Sequence, residues 1–172
     1  GASIRPRVGR MGSQSMKSTL QYWVAVGFGS GLTAKAPGTF GTLGALPLVW
    51  RGVSWSFPLQ MLGIVALCLL ARWSIPEGGR RLGEPDHGSI VIDEWAGFAL
   101  AAWGLDNWVG WPVWSLLAVA FVGFRIFDIA KPWPVSWAER SIPGPWGVLA
   151  DDLVAGLYVL LLVGLSAMIW PL

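Results

Sequence analysis

Leu153–Val154–Ala155–Gly156–Leu157–Tyr158–Val159–Leu160–Leu161–Leu162–Val163–Gly164–Leu165–Ser166–Ala167–Met168–Ile169–Trp170–Pro171–Leu172 runs for 20 residues without a charge. A helix that crosses a bilayer needs about 20 mostly apolar residues. Two further stretches have the same character: 20 uncharged residues separate Arg51 from Arg72, and 18 separate Asp106 from Arg125. The composition of the whole 172-residue chain agrees, with 54% hydrophobic residues, 13% charged and 13 tryptophans. A soluble domain carries about 25% charged residues, so an ordinary water-facing surface and intrinsic disorder are both excluded. A formal net charge of +2 leaves no nucleic-acid footprint. The single cysteine, Cys68, excludes disulfide frameworks and two-cysteine redox or zinc motifs.

Two shorter apolar runs complete the pattern. Ala36–Trp50 is uncharged for 15 residues and Trp95–Leu105 for 11. The second reaches span length only if Ile90–Val91–Ile92 and the acidic pair Asp93–Glu94 join it, which puts two carboxylates at a membrane interface. Ionisable groups at that depth are costly and mark function. The expected fold is therefore all-α: a polytopic membrane helical bundle of about five segments. Residues 1–20 read as an N-terminal tail, and 21–172 as one membrane-embedded domain. The basic start (Arg5, Arg7, Arg10, Lys17) ahead of an apolar stretch resembles a signal peptide, but Gly27, Gly29, Ser30 and Gly31 are poor for its apolar core. Gly1–Ala2–Ser3 reads as an added leader, with Met11 or Met16 as the natural start.

Positive charge marks the cytoplasmic side. Placing 72–94 and 125–152 there leaves only Arg51 and Asp106 outside, with the N-terminus inside and a turn near Gly104–Asn107. Trp50, Trp55, Trp103, Trp108, Trp111 and Trp170 then fall at the outer interface, and Trp73, Trp133, Trp137 and Trp146 at the inner one, as indoles prefer.

Five carboxylates flank the apolar segments: Asp93, Glu94, Asp128, Asp151 and Asp152. The first pair opens a helix, Asp128 closes one, and the last pair opens another. At 3.6 residues per turn, Asp93 shares a face with Gly97 and Asp152 with Gly156. Small residues let membrane helices approach closely, so two such helices can bring their carboxylates to one cation. Hard oxygen donors without a Cys or His cluster point to Mg²⁺ ahead of Mn²⁺ or Ca²⁺. The competing explanation is that acids at helix starts complement the macrodipole; it accounts poorly for Asp128. Arg125, Asp128 and Lys131 follow at i, i+3 and i+6, a spacing that suits phosphate held beside metal, or simple snorkelling at a basic interface. Pro132 and Pro134 end that helix.

Pro37–Gly38–Thr39–Phe40–Gly41–Thr42 is a loop opening into an apolar segment, where Thr39 or Thr42 serves as helix cap or phosphate contact. His87 is the sole histidine, either a proton donor or a solvated loop residue. Its solitude excludes phosphatases that need one histidine as nucleophile and a second as acid, and Cys68 has no phosphate-binding loop around it. The Asp-rich motif of the CDP-alcohol phosphotransferases is absent too.

In order and spacing, five motifs resemble the phosphatidylglycerophosphatase A family of bacteria. They are Gly27–Phe28–Gly29–Ser30–Gly31–Leu32, Pro37–Thr42, His87–Gly88–Ser89–Ile90–Val91–Ile92–Asp93–Glu94, Phe124–Pro134 and Asp151–Asp152–Leu153–Val154–Ala155–Gly156. The resemblance spans about residues 22–160. It departs near position 34, where the family pattern expects proline and Thr33–Ala34–Lys35 stands here. It implies a Mg²⁺-dependent enzyme of the bacterial inner membrane that hydrolyses phosphatidylglycerophosphate to phosphatidylglycerol and phosphate at the cytoplasmic face. Thr39, Asp93, Glu94, Arg125, Asp128, Lys131, Asp151 and Asp152 would be the functional set. Combined with the residue-level reading, Asp93, Asp128, Asp152 and His87 are the candidate catalytic groups, and Thr39, Thr42, Arg125 and Lys131 the candidate substrate contacts. Asp93, Glu94, Asp128, Asp151 and Asp152 are the candidate metal ligands. The nucleophile is metal- or carboxylate-activated water, or alternatively an aspartate. A rival class is a small cation- or proton-coupled transporter built on the same carboxylates.

Overall fold

The computed structural model describes residues 8–170, with side chains from residue 15 onward. Gly1–Ala2–Ser3, Arg5 and Arg7 of the basic start, and Pro171–Leu172 lie outside the described residues. In chain order the elements are α1 (Val8–Ala25), a 3₁₀ segment (Gly27–Leu32), α2 (Pro37–Gly44), α3 (Leu46–Val53) and α4 (Phe57–Leu82). α5 (Ile92–Trp108), α6 (Val113–Ala130), α7 (Val135–Ser141) and α8 (Pro145–Ile169) complete the chain. The described residues contain no strand.

Three of these helices, α4, α6 and α8, are long and apolar enough to cross a membrane, with mean hydropathies of 1.6, 1.8 and 2.2. They coincide with the three charge-free stretches. Their outward faces stay apolar, as at Leu62, Leu69, Val122, Ile129 and Met168. Water would not tolerate that much contiguous hydrocarbon, and the chain is a membrane protein.

α5 is the middle of the bundle. It packs against α3, α4, α6 and α8, and Phe98, Ala99, Ala101, Ala102 and Trp103 have no exposed surface. A helix apolar all round belongs in such a position. Trp103 therefore departs from the expected outer belt. Its ring fills the space left by Gly52 and Gly63, where an added Cβ would come within 2.2 Å and 2.9 Å of the indole, and its Nε1–H donates to the Val49 carbonyl at 2.9 Å. Packing into a small-residue socket outweighs the interfacial preference of an indole whose N–H is satisfied internally.

Other boundaries shift for local reasons. The run 36–50 is two eight-residue helices rather than one segment, with Pro47 in the first turn of α3. α5 continues through Trp108, so the turn falls at 109–112, ahead of α6. Much of the hydrophilic stretch 74–89 is a continuation of α4 to Leu82, closed by Gly83 at φ 91°. Position 20 lies inside α1, which packs on α4 through a Gln21 Nε2 bond to the Trp73 carbonyl (2.8 Å) and a Ser18–Glu77 contact.

Asp106, expected to face the exterior, accepts a bond from Gln60 Nε2 at 3.1 Å. Gln60 in turn bonds the Gly52 carbonyl and accepts from Asn107 Nδ2. The fully buried Gln60 thus ties the ends of α3 and α5 to the start of α4, at the opposite end of α5 from Asp93 and Glu94.

Candidate active site

A close crossing of α5 and α8 builds the site. Where α5 meets α8, a Cβ on Gly156 would stand 2.4 Å from the Gly97 carbonyl oxygen, and one on Gly97 2.5 Å from the Asp152 carbonyl oxygen. Only two glycines permit backbones this near. Asp93 lies one turn before Gly97 and Asp152 one turn before Gly156, so the crossing that glycine allows delivers both carboxylates to one place. They are 5% and 4% exposed. Neither joins a salt bridge among the described residues, and one oxygen of each, Asp93 Oδ1 and Asp152 Oδ1, has no hydrogen-bond partner. Buried polar atoms are rarely left unpaired without a functional reason. Helix-dipole complementarity does not cover Asp151 and Asp152, because α8 begins at Pro145 and the dipole's effect fades within the first turn.

The end of α6 supplies the cations. Arg125 Nη1 lies 2.5 Å from Asp128 Oδ2 and 3.3 Å from Glu94 Oε1. Lys131 caps α6 in the left-handed region (φ 43°), which lets its amine turn back onto Asp151 Oδ2 at 2.9 Å and Glu139 Oε1 at 2.5 Å. Partial burial would weaken its charge, but these two hydrogen bonds and their negative charge outweigh that and hold the amine's pKa above the ordinary lysine value.

The start of α2 forms a lip over the cavity. Ala36 adopts φ 48° ahead of Pro37 at the first helical position. Gly38 then passes so close that a Cβ would meet Glu94 Oε1 at 2.5 Å and Arg125 Nη2 at 2.7 Å. Neither threonine caps the helix, since no side-chain cap bond forms. Thr42 is fully buried behind Glu94, with Oγ1 at 2.7 Å from Glu94 Oε2 and 2.8 Å from the Gly38 carbonyl. It reaches the cavity only through that carboxylate. Thr39 lies outside the acidic cavity, in a neighbouring apolar cleft.

His87 sits at the cavity wall in the turn between α4 and α5. Its Nδ1 accepts the Ser89 backbone N–H at 3.1 Å, which leaves Nε2 to carry the proton of the neutral ring.

Together these groups line a cavity of about 250 Å³. Six carboxylates (Asp86, Asp93, Glu94, Asp128, Asp151, Asp152) face two cations, Arg125 and Lys131. So large an acidic excess repels itself, and it would repel a phosphate. Among the described residues no three His, Cys, Asp or Glu side chains are already gathered into a metal-holding set. The orphaned oxygens of Asp93, Asp151 and Asp152 are nevertheless hard, anionic and buried, the donor chemistry of Mg²⁺, and the residues fit a small divalent cation. Two participants escaped the sequence reading. Glu139 joins Lys131 from α7 across the Pro132–Pro134 turn, and Asp86 joins from the loop. Only the i+8 separation from Lys131 hinted at the first, and nothing at the second beyond its neighbour His87.

Residues 23–167 match the family model described as phosphatidylglycerophosphatase A. The chain is 33% identical over 171 residues to "Phosphatidylglycerophosphatase A" of Escherichia coli K12, covering 99% of this chain and 97% of that protein. It is 35% identical over 147 residues to the Haemophilus influenzae protein of the same name, covering 81% and 84%. A Bacteroides thetaiotaomicron protein named "Putative phosphatidylinositol-3-phosphatase" is 35% identical over 158 residues, covering 87% and 94%. No solved structure matches the chain.

Proposed function

The chain belongs to the phosphatidylglycerophosphatase A family, and from that premise we propose that it hydrolyses phosphatidylglycerophosphate to phosphatidylglycerol and inorganic phosphate. The observation that carries this reading is the set of unpaired, buried carboxylate oxygens opposite Arg125 and Lys131 in one cavity. Asp93 and Asp152 would hold Mg²⁺, with Asp151, Glu94 and Asp128 beside them. When bound, the ion supplies charge neutralisation and polarisation of the phosphoryl group. Arg125 and Lys131 bind phosphoryl oxygens and orient the group, and Gly38, having no Cβ, lets the Glu94 and Arg125 side chains lie against the start of α2. In the reaction the oxygen of water bonds to phosphorus and the bond from phosphorus to the glycerol oxygen breaks. The leaving oxygen takes a proton, for which His87 at the cavity wall is the candidate donor, and the attacking water gives up one proton in turn. Thr42 is a positioning residue that acts through Glu94.

About five membrane segments, an N-terminus in the cytoplasm and a cavity opening to the cytoplasmic face of the bacterial inner membrane follow from the positive-inside distribution. Transport suits the site less well. α8 carries no Asp, Glu, Lys, Arg or His from Leu153 to Ile169, so that helix offers no charged relay across the bilayer. The test is phosphate release from a panel of lipid phosphates, with and without Mg²⁺. Release from phosphatidylglycerophosphate only with a hard divalent cation is expected. Equal turnover of phosphatidate or a phosphatidylinositol phosphate would overturn the substrate assignment, and activity undiminished by EDTA would overturn the metal.

A further inference from the structure

A second cleft, of about 420 Å³, opens on the other side of Arg125, within the roughly 300–1,000 Å³ usual for ligand sites. Thr39 of α2 forms one side, and Phe121, Val122, Ile126 and Ile129 of α6 the other. Among the described residues that line it, Thr39 and Arg125 are the polar ones. Arg125 lines both this cleft and the acidic cavity, so the two are separated by one side chain.

The two chambers have opposite chemistry. The acidic cavity is about 250 Å³ and lined largely by charged side chains, unsuited to hydrocarbon. The cleft lies on a membrane-spanning helix, with Ile126 55% and Ile129 69% exposed. A phospholipid monoester needs both environments at once, an anion site for its phosphate and continuous hydrocarbon for its chains. The Arg125 wall joins the acidic cavity to an apolar cleft on a membrane-spanning helix. We infer that the α2–α6 cleft receives the glycerol backbone and the first part of one acyl chain of the substrate lipid, which enters sideways from the bilayer. The Thr39 hydroxyl meets the lipid where its polar part begins. This rests on the lipid-phosphatase reading above and extends it to how the substrate is held.

The experiment compares Ile126→Trp and Ile129→Trp with wild type on two substrates: long-chain diacyl phosphatidylglycerophosphate in detergent micelles, and its water-soluble deacylated headgroup. Both residues are exposed, so the larger ring does not disturb the core. The ratio of kcat/KM for the diacyl substrate to that for the headgroup should fall at least tenfold, chiefly through KM. Leu62→Trp, on an equally exposed face of α4, should keep the wild-type ratio. An unchanged ratio in both cleft variants, or the same fall in Leu62→Trp, overturns the inference. So does a change in oligomeric mass without a change in ratio, which would assign the cleft to a second copy of the chain. Independently of turnover, a substrate analogue with a diazirine near the carboxyl end of its acyl chain should label residues 121–130, in competition with unlabelled substrate. Labelling spread evenly over α4 and α8 overturns the inference. Failure of wild type to release phosphate from either substrate would instead refute the proposed function.

Discussion

Gly156 stands against Gly97 with no room for a methyl group: a Cβ on Gly156 would lie 2.4 Å from the Gly97 carbonyl oxygen. This contact sets how near Asp152 comes to Asp93. In Gly156→Ala the obstacle is backbone, so the helices must separate. Overpacking of this kind costs about 1–3 kcal/mol, and activity should fall more than tenfold because the two carboxylates part. Thermal unfolding and kcat measured on the same preparation check both effects; retained kcat with lowered stability would mean the crossing serves folding alone.

Asp93→Asn and Asp152→Asn preserve shape and remove one charge each. If both hold the metal, kcat should drop by orders of magnitude, since metal stabilisation of charge is worth several kcal/mol and about 1.4 kcal/mol is tenfold. Without Mg²⁺, stability should hold or rise, because a crowded negative charge is gone. Melting curves across a Mg²⁺ titration test this. Wild type should be stabilised by the ion and the two variants much less; equal stabilisation would remove these residues from the metal site.

Lys131 is held by both Asp151 and Glu139. Lys131→Met should abolish most activity, whereas Glu139→Gln should raise KM several-fold with kcat nearly kept, because the amine retains Asp151 as partner. A loss of kcat in Glu139→Gln equal to that in Lys131→Met would show that Glu139 does more than orient the amine.

Thr42→Val keeps the volume and deletes the hydroxyl bonded to Glu94. Without that hydrogen bond Glu94 is no longer fixed beside Arg125, so kcat/KM is expected to fall several-fold, with recovery in Thr42→Ser. Failure of serine to recover activity would mean that the methyl group, not the hydroxyl, matters.

The positive-inside reading puts 72–94 and 125–152 in the cytoplasm. In a Cys68→Ala background, Arg80→Cys and Arg140→Cys should resist a membrane-impermeant thiol reagent applied to intact cells and react after permeabilisation. Labelling of either in intact cells would invert the topology.

Much of this architecture was legible from the chain alone. α4, α6 and α8 declared themselves by charge-free stretches of span length, and the end of α6 by Pro132 and Pro134, whereas the extension of α4 to Leu82 did not show. The faces Asp93–Gly97 and Asp152–Gly156 followed from helical periodicity. Hydropathy and period are properties of consecutive residues, so they survive without knowledge of neighbours. Less legible was α5, whose apolar run is short because its first turn carries Asp93 and Glu94.

Partnership is what only the tertiary structure decided. Trp103 has the sequence neighbourhood of an interfacial indole, yet Gly52 and Gly63, some 40 to 50 residues away, make its socket. Thr39 and Thr42 looked equivalent, yet the turn of α2 sends one behind Glu94 and the other to the apolar cleft. Five carboxylates looked alike as ligands. The fold assigns Glu94 and Asp128 to Arg125 and Asp151 to Lys131, and leaves Asp93 and Asp152 without a cation among the described residues. The reason is distance. An ion pair or an orphaned oxygen is settled within a few ångströms, and that scale is set by where α5, α6 and α8 cross, which no local pattern encodes.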